Sequence, residues 1–185
     1  KPVNKLEDLK RMRIRSSGFS ARMTSALGAV PIIIPQELTK VYLEDHYVDA
    51  TWSPMEVLKG WGQASTIKYT IEPYCTGYTS GFYVAMNLKK WKTLPKDVQR
   101  VFEEVSQEWI KKHAEGWDSS DEEGGRFALS LGIKITTLSR EEGDRWCRVV
   151  QPIIDKYVRE IESRGLPGKE YVATIKELIK KSEEG

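Results

Sequence analysis

Cysteine and histidine are scarce in this chain, with two of each in 185 residues. Cys75 and Cys147 are too few to form a disulfide framework. Both read as small buried hydrophobes with free thiols, although a bond between them stays open. His46 and His113 have no Cys or His at ligand spacing, which argues against a zinc site. Charge of one sign is lacking too: 29 basic residues face 27 acidic ones, and the formal net charge is +2. Dispersed Lys and Arg do not form the basic stripe that nucleic acid requires. No apolar stretch approaches the length of a membrane span. A leader of basic residues, apolar core and small-residue cleavage site is also missing, so the chain is either cytoplasmic or has lost one.

The motifs of catalysis are equally absent. No nucleophile elbow, phosphate loop or HExxH helix is found. Ser16-Ser17-Gly18 reads as a turn without a nearby histidine, and Glu103-Glu104 and Glu141-Glu142 read as solvated helix faces. The expectation is a protein that is not an enzyme, with no catalytic residue, cofactor or metal.

What is present is a soluble-protein composition, 39% hydrophobic and 30% charged, long enough to bury a proper core in one domain or two small lobes. Met12 and Ile14 alternate with Arg13 and Arg15, the pattern of a half-buried strand. Ser20 caps a short helix over 21–27, and Gly28 suits its stop. Residues 32–34 form a β-branched strand, a helix follows from Pro35 to about Asp45, and 47–51 make a second short strand. Ser53-Pro54-Met55-Glu56 carries the signature of a helix start with a capping box. Residues 82–86 read as a strong strand. Pro95 opens a long helix, bent near Gly116, reaching about Glu123. A strand at 134–136 precedes a helix over 140–163 with Pro152 as its kink, and a last amphipathic helix covers 170–181. The tryptophans at 91, 109, 117 and 146 read as packing residues. Alternating strand and helix implies an α/β protein with a parallel or mixed sheet.

Four segments in order carry a family resemblance: MRIR at 12–15, GAVPIIIP at 28–35, VDATWSP at 48–54 and FYVAMNLKKWKTLP at 82–95. Together the chain resembles the later part of TRAP transporter solute-binding proteins of the DctP type, over about 6–165. The resemblance implies an α/β, two-lobed periplasmic binding protein-like clamshell of type II character, here apparently missing the N-terminal part of one lobe. It further implies a ligand-binding lobe over 6–80, a return to the opposite lobe with a long connecting helix over 82–121, a return to the first lobe over 122–165, and a C-terminal helix over 166–185. The chain looks like a C-terminal fragment, expected to bind poorly alone and to associate through its exposed lobe face.

From the residues alone, Arg15 ends a strand where open α/β sheets bind ligands, and a guanidinium fits a carboxylate with two parallel hydrogen bonds; a solvated arginine on a basic strand is the plainer alternative. The resemblance makes Arg15 the clamp on the substrate carboxylate. It places Ser53 at a polar contact position and Trp52 at the pocket wall, although capping explains Ser53 and core packing explains Trp52. Asp49 fixes the turn. Where the family puts an aromatic after the proline, this chain has Gln36, a candidate contact in its place. Tyr74 and Thr76 are further candidates, and Trp52 with Tyr74 suits a flat or aromatic acid. The implied partners are an organic acid and TRAP membrane permease subunits, with no nucleic acid, and the implied location is the periplasm. A receptor-like interaction module for a sensor or other protein is the alternative.

Overall fold

Short β-branched runs alternating with amphipathic segments give two small parallel sheets wrapped by helices. A computed structural model describes residues 2–73, 76–77 and 81–183, with Glu183 as backbone alone. The first sheet joins β1 (Arg13–Ser16), β2 (Val30–Ile33) and β3 (Ala50–Thr51), all parallel, in the order β2-β1-β3. Parallel pairing requires crossovers, supplied by α1 (Gly18–Ala26) and α2 (Thr39–Glu44). Arg15 stands opposite Ile32 and Thr51, so three carboxyl ends open on one side. After α3 (Val57–Gly60), the second sheet pairs β4 (Tyr69–Glu72) with β5 (Lys134–Thr137), again parallel. Between these two strands run α4 (Leu88–Thr93) and α5 (Lys96–Ser130); α6 (Arg140–Glu162) and α7 (Gly168–Glu183) close the chain.

Each sheet has its own core. Ile14, Met23, Leu27, Trp52, Trp146 and Ile153 pack around the first, with Leu9 from the N-terminal turn. α6 supplies the wall: Trp146 is fully buried and its Nε1 donates to Glu142 Oε1 at 3.2 Å. The same oxygen accepts from the Leu6 N–H at 2.6 Å, tying the N-terminal turn to the helix. Leu58, Ala64, Ala128 and Ile133 form the second core, where α3 lies on α5. Gly124 permits that approach, because a Cβ there would stand 2.7 Å from the Met55 carbonyl carbon and closer still to its oxygen. Beside it Asp121 Oδ1 accepts from the Glu56 N–H at 2.8 Å, and Lys59 pairs with Glu123. Among the described residues no helix is long and apolar enough to cross a membrane.

Several expectations need correction. α1 starts at Gly18 rather than Ala21, since Ser20 sits in the first turn and its Oγ accepts from the Ser17 N–H at 2.9 Å. The Ser53–Glu56 capping box does not form. Ser53 Oγ bonds Thr51 Oγ1 at 2.9 Å, and α3 begins only at Val57 because Asp121, from another helix, caps the Glu56 N–H. α5 runs past Glu123 to Ser130, about 50 Å at 1.5 Å per residue. Residues 82–86 form no strand: Val84 is fully exposed, and no neighbouring strand among the described residues pairs with them. Trp109 is 56% exposed, on a stretch of α5 with Val101, Phe102, Val105 and Ile110 also exposed, so it does not pack. Cys147 is disulfide-bonded rather than a free thiol, while Cys75 lies outside the described residues. β4 was not anticipated, because its four residues alternate too briefly to stand out.

Two outcomes follow for urea unfolding. Gly124→Ala is expected to cost roughly 1–3 kcal/mol by overpacking against Met55. Its neighbour Gly125→Ala meets nothing within 4 Å and should gain about 0.5–1 kcal/mol by helix propensity. Equal effects at both positions would contradict the α3–α5 contact. Glu7, gripped at both oxygens by Arg145, has its pKa lowered from 4.5 to about 2 by that hydrogen bonding. A depressed carboxyl stabilises the fold above its unfolded pKa, and that stability disappears as pH falls from about 4.5 through about 2. Glu7→Gln should therefore lower the urea midpoint at pH 6, converge on wild type only as pH falls below about 2, and make the acid limb shallower between.

Candidate functional site

Parallel strands put their carboxyl ends together, and these are where an α/β sheet meets its ligand. Arg15 lies at this end of β1 with only 5% of its surface exposed. Its Nε donates to the Ile34 carbonyl at 3.2 Å and its Nη1 to the Trp52 carbonyl at 3.4 Å. Those acceptors follow β2 and β3, so the guanidinium is oriented by the neighbours on both sides of its own strand. α1 starts three residues after Arg15. Its N-terminus adds the partial positive charge of a helix dipole.

Beneath the arginine runs a buried polar chain. Trp52 Nε1 donates to Thr24 Oγ1 at 2.8 Å, and Thr24 Oγ1 bonds Ser16 Oγ at 2.8 Å. The Ile14 carbonyl lies 3.0 Å from Ser16 Oγ and the Ser20 carbonyl 2.8 Å from Thr24 Oγ1, so the two hydroxyl protons are shared among these two carbonyls and the Ser16–Thr24 contact. Ser16 and Thr24 are fully buried. The chain locks the end of β1, helix α1 and the segment after β3 into one unit, which fixes the Trp52 carbonyl that Arg15 uses. Sequence reasoning missed Thr24 and Ser16, because small polar residues carry no periodic signal.

The structure brings Arg15, Trp52 and Ser53 together. Trp52 is 9% exposed, packed in the first core with its indole N–H committed to Thr24, so its carbonyl rather than its ring meets Arg15. Ser53 shares a hydroxyl hydrogen bond with Thr51 beside it. Gln36 opens a short turn two residues beyond Ile34, and its buried Nε2 has no hydrogen-bond partner among the described residues. Thr76 is 3% exposed with its Oγ1 likewise unpartnered among them, and no described contact joins it to Arg15. Tyr74 lies outside the described residues. Asp49 sits at the opposite end of the strands: both its oxygens bond the Arg13 guanidinium, at 3.1 and 2.9 Å, and one accepts from the Arg13 N–H at 2.8 Å. That hydrogen bonding holds the Asp49 carboxyl below its ordinary range. Among the described residues no group of His, Cys, Asp and Glu could hold a metal ion.

Solved structures share this architecture. A TRAP periplasmic solute-binding protein from Desulfovibrio salexigens is 24% identical, with a TM-score of 0.78 over 96% of this chain and 56% of its own. One from Rhodoferax ferrireducens, in complex with copurified benzoate, is 20% identical with a TM-score of 0.82 over 100% of this chain and 59% of its own. A marine metagenome protein specific for aromatic acid ligands, with 3-hydroxybenzoate, is 22% identical with a TM-score of 0.80 over 98% and 58%. The fold is that of TRAP solute-binding proteins, and this chain spans less than two thirds of the length of each. The model of bacterial extracellular solute-binding proteins, family 7, matches residues 1–160. The chain therefore belongs to that family, the DctP family of solute receptors.

Proposed function

We propose that the chain is the ligand-gripping part of an extracytoplasmic TRAP receptor, which captures an organic acid through Arg15 and delivers it to membrane permease subunits. One observation carries this reading: Arg15 is buried at the carboxyl end of a parallel strand and oriented by carbonyls from both sides. A guanidinium held this way presents a preset fork to a carboxylate, so little rotamer freedom is lost on binding. Gln36 and Ser53 supply polar contacts flanking the fork, Thr76 adds one from the segment that follows β4, and Tyr74 stays a candidate on its place in the sequence alone. Mechanism is capture without chemistry. The arginine orients the acid, closure of the opposite lobe excludes water, and the closed form docks on the permease. The passage of residues 82–121 into that opposite lobe is supported by their exposed apolar side chains, Tyr83, Val84 and Trp109 among them. A periplasmic location is supported by the family's extracellular character and by the disulfide at Cys147.

Related structures carry both flat and sugar acids: orotic acid in a Desulfovibrio salexigens protein and D-glucuronate in a Pseudomonas putida one. With its ring buried, Trp52 does not by itself favour either class. The exposed apolar stretch of α5 favours a second reading, a module that binds a sensor protein through receptor architecture.

A thermal-shift survey of aromatic acids, uronic acids and dicarboxylates, each beside its uncharged amide, separates the readings. One acid class should raise the melting temperature and its amides should not. Arg15→Ala should weaken that acid by at least 10–100-fold, since a charge-assisted hydrogen bond contributes about 1.5–3 kcal/mol. Equal shifts with acid and amide, or an Arg15→Ala variant that binds normally, would overturn the clamp. In a receptor that carries both lobes, a survey with no shift at all would favour the sensor-binding module.

A further inference from the structure

Left-handed backbone suits glycine and strains other residues, because a Cβ then crowds the carbonyl oxygen that follows. Among the described residues, glycine fills most such positions, at 18, 28, 62, 132 and 165. Two exceptions stand out, Arg11 at φ 64° and His46 at φ 58°. They are far apart in sequence, yet both line one cavity of about 450 Å³. It lies at the amino-terminal end of the first sheet, where Asp49 forms part of its wall, while Arg15 occupies the opposite end of β1.

The two turns have ordinary reasons to be left-handed. The Arg11 N–H reaches the Gly28 carbonyl at 3.4 Å as the chain enters β1, and His46 follows the C-terminal cap of α2. Neither reason calls for a basic side chain, and glycine would serve both turns with less strain. Lys10 adds a second cation to the same lining. Among the described residues no ion pair or hydrogen bond engages the side chain of Lys10 or Arg11. Asp49 is the single acid in the lining, and Arg13 already holds both its oxygens. The carbonyls that end α2 are used as well: Val41 accepts from Asp45, Leu43 from His46, and Tyr42 from Tyr47 and Val48. The cavity therefore presents uncompensated positive charge above a floor of buried Leu43 and Val48.

We propose that this cavity binds a phosphate monoester. Such a group brings close to two negative charges and three strong acceptor oxygens. Lys10, Arg11 and His46 meet them with a point charge, a planar fork and a ring N–H. A carboxylate, with two oxygens and one charge, would leave part of that donor set unmet. The apolar floor suits the carbon side of the ester, and the volume falls within the range of small-molecule pockets. Soluble organic phosphates and the headgroup of an anionic membrane lipid share this chemistry. The site is independent of the carboxylate clamp at the other end of the strands.

The test titrates the 185-residue chain with glycerol 1-phosphate and follows the backbone amides by NMR. Shifts should centre on residues 10–12 and 43–48 and leave 15–17 and 52–53 in place. Arg11→Gly should weaken binding by about tenfold or more, the size of one charge-assisted hydrogen bond, and His46→Gly should weaken it too. Both variants should melt at or above the wild-type temperature, since the strained backbone is relieved. Lost binding in a fold that is no less stable is what a purely structural turn would not show. Vesicles separate the two sources. Co-sedimentation with phosphatidic acid in phosphatidylcholine, absent with phosphatidylcholine alone and lost in Arg11→Gly, would name the lipid headgroup. Binding of glycerol 1-phosphate without vesicle binding would name a soluble ester. No shift at millimolar glycerol 1-phosphate together with no vesicle binding would overturn the site. So would equal affinity for succinate at the same residues, shifts centred on Ser16 and Ser53 instead, or an Arg11→Gly variant that binds normally.

Discussion

The burial of one guanidinium organises the first half of this molecule. Arg15 cannot shed its charge, and moving a charge from water into protein is costly unless hydrogen bonds meet it. A parallel sheet supplies the means, because the chain leaving each neighbouring strand exposes a carbonyl near the central strand's end. Ile34 and Trp52 provide those carbonyls. The Trp52 carbonyl is in turn held by the Ser16–Thr24–Trp52 chain, where every described bond lies between 2.8 and 3.0 Å. Packing, polar satisfaction and the proposed ligand chemistry thus converge on one strand end.

The second constraint is the division into two cores. Chain leaving β3 passes at once into α3, which belongs to the second core through Leu58 and is pinned to α5 at Gly124 and Asp121. Chain leaving β5 passes back into α6, which closes the first core with Trp146. The connections at 52–56 and near Leu138 therefore couple the carboxyl end of the first sheet to the long helix. In a receptor that closes around its ligand, such couplings are where a small shift at the site becomes a movement of a lobe.

Much of this was legible in the residues, and the remainder failed for identifiable reasons. The Arg15 strand, the 134–137 strand and the helix bearing Pro152 showed because their periodicity is local. The start of α3 did not, because a capping-box pattern at Ser53 and Glu56 was overridden by Asp121 from another helix, 65 positions away in sequence. Residues 82–86 carry a strand's alternation yet form none, since a strand requires a partner that local sequence cannot supply. At the candidate site, the place of Arg15 at the carboxyl end of a strand was legible from the alternation of MRIR. The inward orientation of Trp52 was not, because it depends on a threonine on another element.

The central claim is that the Arg15 guanidinium itself receives the carboxylate. Because the Nε–H is committed to the Ile34 carbonyl, nitrogen-15 NMR of the Arg15 Nη–H groups during titration with the best-stabilising acid tests it most directly. The account predicts a large downfield shift of Nη protons and slowed exchange with water, saturating with the same affinity as the thermal shift. An acid that binds tightly while the Arg15 resonance stays unmoved would contradict it.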